Sequence, residues 1–238
     1  MNSNYGKIKD ENLFFEEPSL EMPTAGRLLS RLISYSAYAV ATAGAITLLM
    51  SDVKWLFWLG ILLAAFLLDR LFHANKPRRK FYGLKIKKGD QINIALYFEP
   101  KGIIIMEKAR DKALLSGKSF YLYLLLFLSK NSDIKEGLKR LDVSFDDFIQ
   151  KADSLMAKDE KKEIADKKTV KAQIERIGKI SFNLALANGK NFVEPIDIFG
   201  ALAFVNDEKI NRIFNLFSIH GNLGFAVRKK PFNLFTFS

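Results

Sequence analysis

Two long apolar runs in tandem restrict what this chain can fold into. Leu32 to Met50 reads LISYSAYAVATAGAITLLM, without a single charge. As a helix rising 1.5 Å per residue it covers roughly 28 Å, about the hydrocarbon thickness of a bilayer. A polar break, Ser51-Asp52-Val53-Lys54, leads to Trp55–Phe72, WLFWLGILLAAFLLDRLF. This run is also long enough to span if Asp69 and Arg70 sit at the membrane edge, where Arg70 can snorkel. The spacing predicts a transmembrane helical hairpin over 28–73. A hairpin buried in a soluble core is disfavoured, since two nearly uncharged runs of spanning length seldom occur side by side there. A cleaved signal peptide fits poorly, because the first run lies behind an acidic segment (Glu11, Glu16, Glu17, Glu21) and a second run follows. Residues 1–27 read as a flexible, mildly acidic tail.

The flanking charges give the hairpin a direction. The chain carries 37 Lys and Arg against 26 Asp and Glu, a net charge of +11, which calls for an anionic partner. Arg27 and Arg31 precede the first run. Arg70, Lys76, Arg78, Arg79, Lys80, Lys85, Lys87 and Lys88 follow the second, whereas the turn holds only Lys54 opposed by Asp52. The positive-inside rule puts both termini in the cytoplasm, at a bacterial inner membrane. Tyr35 and Tyr38 suit the inner interface, with Arg27, Arg31, Arg70, Arg78, Arg79 and Lys80. Trp55 and Trp58 suit the outer one. The basic segment 74–90 reads as a contact for anionic lipid. No DNA- or RNA-binding motif accompanies the charge, so no nucleic-acid partner is expected. Small residues at four-residue spacing, Ala37, Ala41, Ala45 and Gly60, Ala64, permit close helix contact in lipid.

The chain has no cysteine and two histidines, His73 and His220. This excludes a disulfide framework, thiolate metal sites and a cysteine nucleophile, and leaves too few imidazoles for most zinc sites or triads. The mean hydropathy of +0.01 is therefore an average over an apolar hairpin and a polar remainder.

That remainder has the 3.6-residue period of amphipathic helices. Glu99-Pro100 predicts a helix start. Ile103, Ile104, Met106, Ala109, Ala113 and Leu114 give an apolar face, and Ser116-Gly117 an end. Phe120–Leu128 (FYLYLLLFL) is too short to span and reads as a fully buried core helix. A third helix carries Ile134, Leu138 and Leu141. A fourth starts after Ser144 as N-cap, with Asp146 and Asp147 in its first turn and Phe145, Phe148, Ile149, Ala152 and Leu155 inward. The order then recurs. At an offset of 72, Ile105 matches Ile177, Ala113 matches Ala185, Leu114 matches Leu186, Gly117-Lys118 matches Gly189-Lys190 and Phe120 matches Phe192. With small gaps, Leu141–Ser144 falls near Phe217–His220. Lys158–Lys171 reads as a solvated linker or exposed helix. The fold class expected is all-α: two transmembrane helices, then a pseudo-twofold repeat of two four-helix units.

This repeat resembles the double Clp repeat at the N-terminus of Clp-type AAA+ unfoldases. The residues that carry the likeness are Ile105–Gly117, Phe120–Leu128 and Leu138–Ser144, then Ile177–Gly189, Ile198–Leu202 and Ile213–His220, with Ala113, Gly117, Ala185 and Gly189 as repeat signature. The likeness covers 91–228, with repeats at about 91–157 and 170–228, and leaves 229–238 as a C-terminal tail. The family pattern has Glu-His before the leucine run, where this chain has Leu124-Leu125 and Ile196-Asp197, so recognition of phosphoarginine is not expected. What the resemblance implies is a compact, non-catalytic domain that receives substrate polypeptides or adaptors for an AAA+ ring, in cis or in trans.

No residue set points to chemistry. Gly117-Lys118-Ser119 ends like a Walker A loop, yet the first glycine of that motif would fall at Lys112 and no strand precedes it. Asp146 and Asp147 are adjacent on a helix and diverge. His220 reads as a turn histidine, His73 as interfacial, and Asp153, Glu175 and Arg176 as solvated charges. No catalytic residue, cofactor or metal is expected. The reading is a membrane-anchored Clp N-terminal-like domain, either the first part of a longer unfoldase or a stand-alone recruiter. The alternatives are a membrane-tethered scaffold unrelated to proteolysis and a small membrane enzyme or transporter component using Asp69.

Overall fold

A computed structural model describes residues 12–73, 76–81, 90–157 and 166–221, the side chains of 218–221 excepted. The chain divides into two compact units, Glu21–Lys76 and the residues on either side of it.

The Glu21–Lys76 unit is a helical hairpin. α2 (Thr24–Leu49) and α3 (Lys54–His73) are both long and apolar enough to cross a membrane. Their apolar side chains mostly face outward, among them Leu32, Ile33, Val40, Ile46, Leu62 and Phe66. The hydroxyls of Ser34, Thr42 and Thr47 each donate to the carbonyl four residues back, at 2.9, 2.8 and 3.0 Å. These three exposed hydroxyls are thus satisfied within the helix. The two helices meet at small residues. Ala45 and Gly60 are buried, and a Cβ added at Gly60 would stand 2.8 Å from the Leu49 amide nitrogen and 3.0 Å from Leu48 Cβ. Ala41 and Ala64 are half-buried, whereas Ala37 is exposed.

The other unit is almost wholly helical among its described residues. Its helices are α1 (Pro18–Glu21, at the boundary with the hairpin), α4 (Pro100–Ser116), α5 (Phe120–Ser129), α6 (Ser132–Arg140), α7 (Phe145–Ala157), α8 (Lys167–Ala187), α9 (Pro195–Leu202) and α10 (Glu208–Gly221). α5 and α9 are the centre. Every residue of α9 is buried, and α5 buries Phe120, Tyr121, Leu122, Leu124, Leu125 and Leu128, with Tyr123, Leu126 and Phe127 half-buried. They pack on each other, with α4 and α7 against α5, and α8 and α6 against α9. Phe148, Phe199, Phe214 and Phe217 form one aromatic cluster. Each fully buried side chain of this size contributes roughly 1.5–3 kcal/mol.

Helix ends follow the residues expected of them. Gly117 (φ 70°) and Gly189 (φ 68°) are left-handed, and Asp142 (φ 55°) closes α6 in the same way. The Gly189 amide donates to Leu186 O and the Lys190 amide to Ala185 O, both at 3.1 Å, the paired bonds of a Schellman end. The Gly117 amide makes the single equivalent bond to Ala113 O, 2.9 Å. Ser119 caps α5 through Leu122 N at 3.4 Å, and Ser144 caps α7 through Asp147 N at 3.4 Å.

Four expectations need correction. Residues 12–21 are not a flexible tail. Leu13 and Phe14 form β1, parallel to β2 (Ile92–Asn93), with Leu13 opposite Ile92. Leu13, Phe15 and Leu20 are buried in the core, and the Phe15 ring lies against Gly178 and edge-on to Phe98, centroids 5.2 Å apart. The segment 74–90 is not all basic surface, because Phe81 is 2% exposed, stacks on Tyr97 and meets Phe182 edge-on. The Phe120–Phe192 match is not kept in the structure: Phe120 opens α5, whereas α9 starts at Pro195, since Val193 is held extended by a bridge to Phe98. Finally, Ser218–His220 lie in α10 and form no counterpart of the Leu141–Asp142 turn that closes α6, so the Leu141–Ser144 match fails locally. The first half has four helices, α4–α7, and the described second half has three, α8–α10. Residues 158–165 of the expected linker, and 222–238, lie outside the described residues.

Two substitutions test this arrangement. Phe15→Ala should destabilise the protein by about 3 kcal/mol, read by denaturant unfolding of the detergent-solubilised chain, whereas a free tail would make it silent. Gly60→Leu should push α2 from α3 and lower the yield of an Ala45–Gly60-level disulfide engineered across the hairpin at neighbouring positions.

Candidate functional site

Most predicted interface residues are at the surface. Arg31, Tyr35, Trp55, Trp58, Arg70, Arg79 and Lys80 are exposed. The Arg70 guanidinium lies 5.6 Å from the Phe66 ring centroid. Arg27 differs: it is 5% exposed and donates to Met22 O (3.2 Å) and Thr24 Oγ1 (3.5 Å). Arg78 pairs with buried Glu17 at 3.3 Å, so the acidic N-terminal segment neutralises part of the basic stretch. The Arg79 amide donates to Leu96 O at 2.9 Å. Lys85, Lys87 and Lys88 lie outside the described residues. Asp69 pairs with His73 one turn on, at 3.1 Å. Ala113 and Ala185 are fully buried at the ends of α4 and α8, beside Gly117 and Gly189. Lys118 donates to Met156 O at 2.9 Å, and Ser119 is a helix cap, which removes the phosphate-loop reading of this triplet.

One charged cluster is assembled by the fold. Glu99-Pro100 and Glu194-Pro195 each open a helix, and the residues before them are joined: Val193 N donates to Tyr97 O (2.8 Å) and Glu99 N to Val193 O (2.9 Å). This brings Glu99, Lys190, Glu194 and Asp197 together. The Lys190 ammonium donates to Glu194 Oε2 (2.6 Å) and Asp197 Oδ1 (2.9 Å). Asp197, 5% exposed, also accepts from the Glu194 amide at 2.9 Å, half of a capping box.

The electrostatics agree with a closed joint. Burial works against the Lys190 charge, but Asp197 and Glu194 outweigh it, so its pKa is raised and the amine stays protonated. Burial raises the pKa of Asp197 against the pull of Lys190. Burial also raises the pKa of Glu99, and Glu194 adds to this. A protonated lysine tied to two carboxylates has no free lone pair, so this cluster clamps the end of α8 to the start of α9. The sequence signal for it is the repeated Glu-Pro, with Asp197 three residues after Glu194 at capping-box spacing. Among the described residues no group of His, Asp and Glu is arranged to hold a metal ion. An open depression at the start of α10 is lined by Asn206, Glu208, Asn211, Arg212, Asn215 and Leu216.

No protein-family model, curated protein or solved structure matches the chain.

The raised pKa of Glu99 has a sign. A carboxyl whose folded pKa exceeds its unfolded value is penalised when ionised, and the penalty is relieved as pH falls through the raised value toward 4.5. Glu99→Gln should therefore raise the melting temperature at pH 7.5 and lose that advantage near pH 4.5, as followed by thermal circular dichroism.

Proposed function

We infer that this chain is a membrane-anchored binding module of the Clp N-terminal type. Its hairpin holds the chain in the bilayer with both termini on the cytoplasmic side, and its helical unit receives substrate polypeptides or an adaptor for an AAA+ unfoldase. The observation that carries the reading is a doubled local pattern. An amphipathic helix ends on a buried alanine and a left-handed glycine, then a short core helix follows: α4, Gly117, α5, and again α8, Gly189, α9. The hairpin adds the anchor, since α2 and α3 leave their apolar side chains outward. Glutamates of the kind that read phosphoarginine in the resembled family have no counterpart at Leu124-Leu125 or Ile196-Asp197. The module therefore works by contact with polypeptide.

A second reading, a membrane-tethered scaffold with no tie to proteolysis, draws on the same anchor and on the unequal helix count of the two halves. The test is capture of a Clp-type ring or its protease subunit by the full chain in lipid nanodiscs. Co-purification that is lost on Gly189→Val, a change that strains a left-handed position, is the expected outcome. Reproducible absence of any such ring favours the scaffold.

A further inference from the structure

α4 shows an unusual outer face. Its exposed positions are Lys101, Ile104, Lys108, Lys112 and Leu115, and they are all the exposed positions it has. Spaced three or four apart, they form one stripe along the helix. The stripe carries three cations, two large aliphatic side chains and no acid. Leu115 is 80% exposed and Ile104 38%. Neighbouring helices do not share this pattern. α6 exposes Asp133 and Glu136 among its lysines, and α7 exposes Asp146, Asp147 and Asp153. α8 exposes Lys167, Lys168, Lys171 and Arg176 but no large aliphatic. The acids of α4 lie off the stripe: Glu107 is buried and Asp111, half-buried, pairs with Arg110 at 3.3 Å, while Glu99 at the start of the helix interacts with Lys101.

We propose that the Lys101–Leu115 stripe of α4 docks on the anionic surface of the bilayer, its lysines at phosphate level and Leu115 and Ile104 in the headgroup region. Aliphatic side chains flanked by lysines are what an interfacial helix presents to anionic lipid. An acidic polypeptide without apolar side chains would match the lysines but would leave Leu115 without an apolar partner. The tether also favours lipid. Residues 74–78 alone separate the end of α3 from Arg79, whose amide is bonded to Leu96 just before α4. A short tether keeps a weak surface at high effective concentration near the membrane. The proposal rests on the anchored reading of the hairpin.

The absence of cysteine allows a clean test. Leu115→Cys, labelled with an environment-sensitive fluorophore, is placed in the full chain in two kinds of nanodisc, one of phosphatidylcholine and one with half the lipid replaced by phosphatidylglycerol. Leu62→Cys on α3 is the control for the anchor. In anionic discs the label at 115 should shift to the blue and be quenched by lipid bearing a headgroup-level nitroxide. Both effects should vanish in phosphatidylcholine, in high salt, and in Lys101→Glu/Lys108→Glu/Lys112→Glu, whose fold is checked by its melting temperature. A label at 115 that stays aqueous in anionic discs, while that at 62 reports hydrocarbon, overturns the proposal and leaves the anchor standing. A blue shift without lipid quenching means that a protein surface covers the stripe, which also overturns it. An aqueous label at 62 overturns the anchored reading itself.

Discussion

The contact between α5 and α9 is the constraint on which the rest of the helical unit depends. Both helices are too short to span a bilayer and too apolar to face water, so each must be enclosed on all sides. α4 and α8 cover them with faces set by their apolar periods, and α6, α7 and α10 complete the enclosure. Two of the polar side chains buried inside are satisfied locally. Ser181 Oγ donates to Ile177 O at 2.7 Å and Ser129 Oγ to Leu126 O at 3.0 Å. Neither needs a distant partner, so the centre tolerates them at little cost.

Those parts of the fold set by local rules were legible in the sequence. Gly117 and Gly189 mark left-handed ends because other residues are strained there, and Ser119 and Ser144 cap the helices that follow them. The lengths of α2 and α3 followed from their uncharged runs. What escaped notice depends on residues far apart in the chain. Leu13, Phe14 and Phe15 are too few to show a period, and their partners are Ile92, Asn93, Phe98 and Gly178. Phe81 was hidden by the lysines and arginines around it. The Lys190 clamp was missed because Glu194 and Asp197 stand in a segment otherwise apolar enough to read as plain core.

Net charge is likewise less uniform in space than along the sequence. The N-terminal acids and the arginines after α3 read as separate blocks, one acidic and one basic. Pairing of Glu17 with Arg78 cancels one charge from each. The cationic character that remains visible on α4 comes from lysines spaced along a helix, and a count of charged residues per segment gives them no special weight.

The connections that follow Gly117 and Gly189 differ for a physical reason. α5 begins at Phe120, immediately after Lys118-Ser119. α9 waits until Pro195, because Asn191–Val193 are engaged elsewhere: Asn191 O accepts from Phe81 N at 2.7 Å, and Val193 bonds both Tyr97 and Glu99. The second connection thus serves as a short strand that holds the entry to the first half. A segment used in this way cannot also supply the first turn of a helix. The proline at 195 then fixes where α9 begins, since it donates no hydrogen bond and suits the first helical position. The same extended segment places Glu99 beside Glu194 and Lys190, so the segment that delays the start of α9 also builds a charged joint with the start of α4.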